Sequence, residues 1–345
     1  MKRLLLILCV AAALSAQAAT AFPELGNARI VVLANNLQNY YINYDESSRP
    51  SYDDEQGLVL KTQKIVNMMI ASNADIFAFC ELEAKPVTLD YLVAALNTQL
   101  GQEVYAAVSD GINVQTDSYD NAIKSGFVYR IATVAPYGSD YATTNVTYYK
   151  NVMRIQAWTE LSTGERFTLS MNHFKAKSDD ASRNKRVDNA TWLVNGLNSS
   201  SKVKDPDILI MGDLNAKMDE DCIAVIENGG YEEQLLRYDA YSYSYIYQGS
   251  RELIDHAFAN STMANQITGA AVWHTNTSVS YNARYSDHDA VVVGLRLGED
   301  QGESLDQAPF PSGEGRGEAY KEIRHGQIII IRGGVEYTIT GQRLY

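Results

Sequence analysis

The 345-residue chain is poor in cysteine, histidine and positive charge, and each shortage excludes something. Of its three cysteines, Cys9 falls in an N-terminal apolar run, which leaves Cys80 and Cys222, and two cysteines make no disulfide framework. Cys80 lies in a strand-like run and is expected to be a buried free thiol. Neither the cysteines nor the five histidines cluster in a zinc-type ligand pattern. Lysine and arginine number 29 against 42 acidic residues, and the formal net charge of −13 argues against holding nucleic acid by bulk electrostatics. An enzyme that meets phosphates briefly, through a metal and a few basic groups, remains compatible with that charge. After the first residues no segment is apolar for long enough to cross a bilayer, so no stable membrane span is expected. No internal repeat is visible.

The start does carry an apolar run. Lys2 and Arg3 precede Leu4 to Leu14, and Ala16–Gln17–Ala18 follows, the pattern of a cleaved export signal over residues 1–18. The chain is therefore expected to be exported: periplasmic, cell-surface or extracellular. From Ile30 to Leu297, short β-branched runs (ARIVVLA, ADIFAFC, SGFVYR, RFTLSMNHF, DILIMGD, ELIDHAFA, AVVVGLRL) alternate with helical spacing in GLVLKTQKIVNMMIAS, YLVAALNTQLG and NATWLVNGLN. That mixture predicts one α/β domain over residues 24–297, with sheets covered by helices. Residues 298–320, rich in Gly, Glu, Ser and Pro, read as a flexible linker. Residues 321–345 return to β character, with Gly333–Gly334 as a hairpin turn, in a piece too small to bury a core of its own. This tail resembles the short C-terminal sorting signals of exported bacterial proteins, those of type IX secretion included; a small β appendage docked on the main domain is the alternative.

Four separated segments bring oxygen and imidazole groups to the ends of apolar runs: Asn36 in ANNLQNY, Glu81 in DIFAFCELE, Asp213 and Asn215 in GDLNA, and Asp287–His288 in SDHDAVVVGL. A carboxylate ending a buried run, as Glu81 does, costs several kcal/mol (about 3–5) unless paired or metal-bound. Glu83 is expected to face solvent. Asp213 and Asn215 stand two apart on an extended stretch, so both can face one phosphate, although a D-x-N after a strand is also a common turn. Histidine is the side chain that moves protons near neutral pH, as His288 is placed to do. Hard oxygen ligands of this kind suit Mg²⁺, with Mn²⁺ or Ca²⁺ as substitutes.

In order and flanking residues these motifs resemble the endonuclease/exonuclease/phosphatase superfamily, and most closely its secreted, pancreatic-type nuclease branch. The resemblance spans residues 28–297. It implies a four-layer α/β (α+β) sandwich of two packed mixed sheets flanked by helices. It also implies metal-dependent phosphodiester hydrolysis, with Asn36, Glu81 and Asp287 at the metal. His288 would act on the attacking water, oriented by Asp255, with Asp213 and Asn215 positioning water and phosphorus. His173, in NHFKAK, matches the histidine that contacts the scissile phosphate, with Lys175 beside it, and the polar stretch SDDASRNKR that follows reads as a loop before a helix. The family's glutamate partner of that histidine has no counterpart: Ile123 stands near its position, and Asp120 is a candidate substitute. Arg154 matches an arginine that holds a phosphate oxygen, against the alternative of a surface arginine on a strand.

The implied activity is that of an exported endonuclease, a monomer acting on DNA or RNA as substrate. A lipid phosphodiesterase or sugar-phosphate phosphatase would use the same core, and a non-catalytic surface binding protein would have lost part of it. Tyr241, Tyr243, Tyr245 and Tyr247, at period two, are expected as one face of a half-buried strand rather than a base-stacking ledge. His256 is expected to be structural, and His274 and His325 to be surface residues.

Overall fold

Apolar runs bounded by helical stretches should pair as buried strands, and they do so in two six-stranded sheets. The computed structural model describes residues 21–42, 52, 54–110, 123–199, 203, 205–298 and, in the tail, 319–324, 327–332, 335–338 and 343–344. The expected export signal, most of the linker, Asp120 and Gly333–Gly334 lie outside the described residues. The chain forms two compact units, residues 1–302 and 303–345, each described by itself.

In the larger unit, the first sheet runs β13 (Ile267–Trp273), β14 (Ala290–Leu295), β1 (Ile30–Tyr40), β2 (Ile76–Glu83), β4 (Ile123–Arg130) and β3 (Tyr105–Ala107). The second runs β5 (Val134–Ala142), β6 (Met153–Glu160), β7 (Arg166–His173), β8 (Ile208–Asp213), β12 (Asp255–Asn260) and β9 (Tyr231–Glu233). Both sheets are mixed: β1–β2 and β7–β8 are parallel, and the other pairings are antiparallel. A separate two-stranded hairpin joins β10 (Tyr245–Tyr247) to β11 (Ser250–Glu252).

Period two decides the layers. Val32, Ala34, Ile76, Ala78, Val291 and Val293 share one buried cluster with Leu169, Met171, Leu209, Met211 and Ala257, which is the seam between the sheets. The opposite face of the first sheet, with Leu33, Phe77, Phe79 and Val292, packs on α1 (Glu55–Ser72) and α2 (Val87–Leu100). The outer face of the second, with Ile155, Ile208, Ile210 and Phe258, packs under α3 (Thr147–Val152), α4 (Asp180–Ser199) and α5 (Asp221–Asn228). Two short helices complete the unit: α6 (Leu235–Tyr238) precedes the β10–β11 hairpin and α7 (Ser261–Ala264) follows β12. The arrangement is the expected four-layer α/β sandwich.

Two local expectations change. The stretch SDDASRNKR, polar enough to read as a loop, is the start of α4. Asp179 caps it, accepting from the Ser182 amide (3.0 Å) and hydroxyl (2.9 Å). Arg186 turns inward to donate to Glu220 and to the carbonyls of Lys175 and Lys177. The tyrosine run is not one half-buried strand: only Tyr245 and Tyr247 lie in β10, and Tyr241 and Tyr247 are 84% and 53% exposed.

The smaller unit is an antiparallel meander of β15 (Ala319–Arg324), β16 (Gln327–Arg332), β17 (Val335–Thr338) and β18 (Arg343–Leu344). Arg332 pairs with Val335 across β16–β17. Among the described residues no helix is long and apolar enough to cross a membrane.

Candidate active site

Strand register assembles half of the site. His173 pairs with Asp213 across β7–β8, and Asp213 with Asp255 across β8–β12, so three chemical side chains stand in a row at one end of the second sheet. Directly opposed residues share a face, and here it is the inter-sheet face that Met171, Met211 and Ala257 occupy further along. Gly212 lets β8 end this way. Its φ is +129°, and a Cβ there would meet the Asn172 carbonyl oxygen at 2.1 Å.

The first sheet supplies the rest, and alternation alone would misplace one residue. Asn36 continues the inward series Val32, Ala34. Glu81 follows inward Cys80 and would by alternation share the outward face of Phe77 and Phe79. A break in register on both sides of β2, with Glu81 at φ +54°, turns its carboxylate inward instead. There Glu81 Oε1 accepts from Asn36 Nδ2 at 3.0 Å and Oε2 from the Asn39 amide at 2.9 Å. Asn36 Nδ2 also donates to Asp213 Oδ2 at 3.0 Å, so two carboxylates from different sheets converge on one amide. His173 Nε2 stands 3.6 Å from Glu81 and 3.7 Å from Asp213. Its Nδ1 is buried with no hydrogen-bond partner among the described residues, as the missing glutamate implies.

His288 meets the same centre from the loop before β14. Its Nε2 lies 3.8 Å from Asp213 Oδ2 and 3.9 Å from Asp287 Oδ1, while Nδ1 is 2.7 Å from Asp255 Oδ2. The Ser244 hydroxyl donates to the same Asp255 oxygen at 2.7 Å, and the Tyr245 ring lies 4.7 Å from the imidazole. Burial opposes charge on His288, but Asp255, Asp213 and Asp287 outweigh it and hold the imidazole pKa well above its usual value. Burial likewise raises Asp255, against the pull of His288. Asp213 Oδ1 accepts from the Asn215 amide at 2.8 Å, and Asn215, at φ +49°, donates to the Phe174 carbonyl at 3.3 Å.

The donor set fits a hard divalent cation. The carboxylates of Glu81, Asp213 and Asp287 gather here, and Lys61, which feels Glu81 and Asp287, is buried and donates to the Gln38 carbonyl at 2.7 Å. Burial pushes the Lys61 ammonium down to about 7, against the attraction of Glu81 and Asp287. Asp213, Asp255 and His288 can also bring one ligand atom each within 4.8 Å of the others. Because Asp255 and His288 are hydrogen-bonded to each other, the grouping around Glu81 is the better cation cradle. Asn36 differs from the expected ligand: its Oδ1 accepts from the Gln38 amide (2.8 Å), and its nitrogen faces the carboxylates. It ties the two carboxylates together.

Several expectations need correction. Arg154 is fully buried against Asp140 and Asp110, a structural ion pair in place of an open phosphate ligand. Glu83 is buried rather than solvent-facing, accepting from the Ile42 amide at 2.9 Å and pairing with Lys85 at 2.7 Å. His274 is tied by Nδ1 to buried Asp289 at 2.7 Å and stacks on Tyr243. Lys175, two residues after His173, is half-buried. His256 is buried, its Nε2 2.9 Å from the Ala216 carbonyl oxygen, and both Cys80 and Cys222 are buried free thiols. Sequence reasoning missed Ser244, Lys61 and Asp289, whose partners lie far away in the chain and leave no local pattern.

The sequence pattern of the Endonuclease/Exonuclease/phosphatase family matches residues 36–288. Among solved structures, the chain is similar to an endonuclease/exonuclease/phosphatase from Bacteroides vulgatus (14% identity, TM-score 0.55), covering 78% of this chain and 98% of that one. A Bacteroides thetaiotaomicron mannosyl-6-phosphatase is 17% identical, with a TM-score of 0.53 and coverage of 78% and 100%. D. rerio TDP2 complexed with single-strand DNA product is 14% identical, with a TM-score of 0.52 and coverage of 77% and 98%. No curated protein matches the sequence.

Proposed function

The chain belongs to the endonuclease/exonuclease/phosphatase family, whose members are phosphoester hydrolases, and we propose that it is an exported, Mg²⁺-dependent endonuclease without strong sequence preference. The observation that carries a hydrolytic role is the meeting of Glu81, Asp213, His173 and the Asp255–His288 pair at one point between the sheets. A cation held by Glu81, with Asp287 beside it, would neutralise charge that grows on the phosphoryl oxygens. His288 Nε2, its ring fixed by Asp255, takes the proton of the attacking water. Asp213 and Asn215 position that water against phosphorus. His173 Nε2 faces the phosphate, and Lys175 adds a cation beside it.

The nuclease assignment draws its support from the NHFKAK segment and from the export-type N-terminus; the net charge of −13 speaks for transient rather than tight binding. Phosphate contacts without a module for reading base edges give cleavage without strong sequence preference. Supercoiled plasmid is the test, because it has no ends. An endonuclease converts it to open circles and then fragments in Mg²⁺. Intact plasmid beside rapid release of phosphocholine or inorganic phosphate, from sphingomyelin or a sugar phosphate, would replace this reading with a lipid or sugar-phosphate one.

A further inference from the structure

The segment carrying the tyrosine run is pinned to the catalytic pair. Ser244 donates to Asp255 Oδ2 (2.7 Å), its carbonyl accepts from the Asp289 amide (2.8 Å), and Tyr245 bridges to His288 through the backbone. From this pin the β10–β11 hairpin displays aromatic rings. Tyr241, Tyr281 and Tyr247 stand exposed, at 84%, 75% and 53%. Tyr243 stacks on His274, with centroids 4.2 Å apart and planes 20° apart, and the Arg251 guanidinium lies 4.4 Å from the Tyr243 ring. Asp289 holds His274 in that stack at 2.7 Å. The segment leading into Asp287 repeats the pairing, with Arg284 4.7 Å from the exposed Tyr281 ring.

Exposed aromatic rings give up the burial that usually places them inside a fold. Here Tyr281 carries an arginine against its ring and so does the half-buried Tyr243 beside Tyr241 and Tyr247, in the two segments that frame His288, on a chain otherwise strongly acidic. We propose that Tyr241, Tyr243, Tyr247 and Arg251, with Tyr281 and Arg284, form a ledge that stacks unpaired bases and meets the adjoining phosphates, so that the preferred substrate is single-stranded polynucleotide. Only unpaired bases present free π-faces to such rings, and every base has one, so the contact is tolerant of sequence. Arginine adds cation–π attraction and phosphate pairing at the same place. A duplex offers backbone charge instead, which a protein with net charge −13 is poorly equipped to hold.

This inference rests on the nuclease reading, and the test separates the two. Initial rates would be measured in Mg²⁺ on a single-stranded oligonucleotide, on the same strand annealed to its complement, and on bis-p-nitrophenyl phosphate. The wild type should have a KM for the single strand about ten-fold or more below that for the duplex. The double variant Tyr241→Ala/Tyr247→Ala, and separately Arg251→Ala, should raise the single-strand KM about ten-fold while kcat changes less than three-fold. Tyr241→Phe/Tyr247→Phe, which keeps the π-faces, should restore the wild-type KM. If the wild type cuts polynucleotide but prefers duplex, or the alanine variants bind single strands as well as it does, the ledge is refuted and the nuclease reading stands. If the wild type cuts only the small diester, both readings fall.

Discussion

His173 and His288 approach one carboxylate from opposite sheets, with Nε2 3.7 Å and 3.8 Å from Asp213 Oδ2, yet they are anchored differently. His288 has its far nitrogen on Asp255, which is itself held by Ser244, and a tyrosine ring against its face. His173 is equally buried, but its Nδ1 has no partner among the described residues. A second-nitrogen hydrogen bond sets which nitrogen carries the proton and which way the ring points. Under the function proposed above, this contrast would give proton transfer to His288 and contact with the phosphate to His173.

The comparison can be broken at its strongest point first. Removing metal with EDTA should reduce hydrolysis to background, because both histidines act around the carboxylates that the cation would neutralise, and Mg²⁺ or Mn²⁺ should restore it. Undiminished turnover in metal-stripped protein would refute the metal-dependent mechanism. Next, His288→Ala and Asp213→Asn should each lower kcat by about a hundred- to ten-thousand-fold with the fold intact by circular dichroism. Asp255→Asn should follow His288→Ala closely, since it acts through that ring; a kcat near wild type would leave His288 without its orienting partner's role.

His173→Ala should cost less, about ten- to a hundred-fold, because an imidazole whose second nitrogen has no partner among the described residues gives less oriented catalysis. If it cost more than His288→Ala, the roles assigned to the two rings would have to be exchanged. The smallest effect concerns pH and stability in metal-free protein. The His288 pKa is raised in the fold, so its contribution to stability is fully present below the unfolded histidine value of about 6.5 and is lost as pH rises through the folded value. The raised carboxyl of Asp255 acts in the same direction. The thermal midpoint in EDTA should therefore fall from pH 6 to pH 9, and fall less in His288→Ala; equal slopes would show that other groups set the dependence.

Much of this molecule could be read from its sequence. Buried runs at period two and helical stretches between them determine the two sheets and most of the covering helices, because burial is a local demand on each segment. The motif residues Asn36, Glu81, Asp213, Asp255 and His288 were also legible, since each ends such a run or sits beside one. The start of α4 was hidden by polar residues that its Asp179 cap and the inward Arg186 make helical. Arg154 and Glu83 were misread because a charged residue on a strand looks the same in sequence whether it meets solvent or is covered and paired within the fold.

What only the tertiary structure decided is direction. Alternation would send Glu81 outward with Phe77 and Phe79; a register break and a left-handed backbone turn it to Asn36 and Asp213. Likewise the tyrosines after Asp239 could have lined a strand face, but Ser244 and Tyr245 are fastened to Asp255 and His288, and their neighbours are left standing in solvent. The sequence determines which side chains need burial, since that depends on each residue's own surface. Where a carboxylate or an aromatic ring finally points depends on partners from distant strands, and those meet only when the two sheets close on each other.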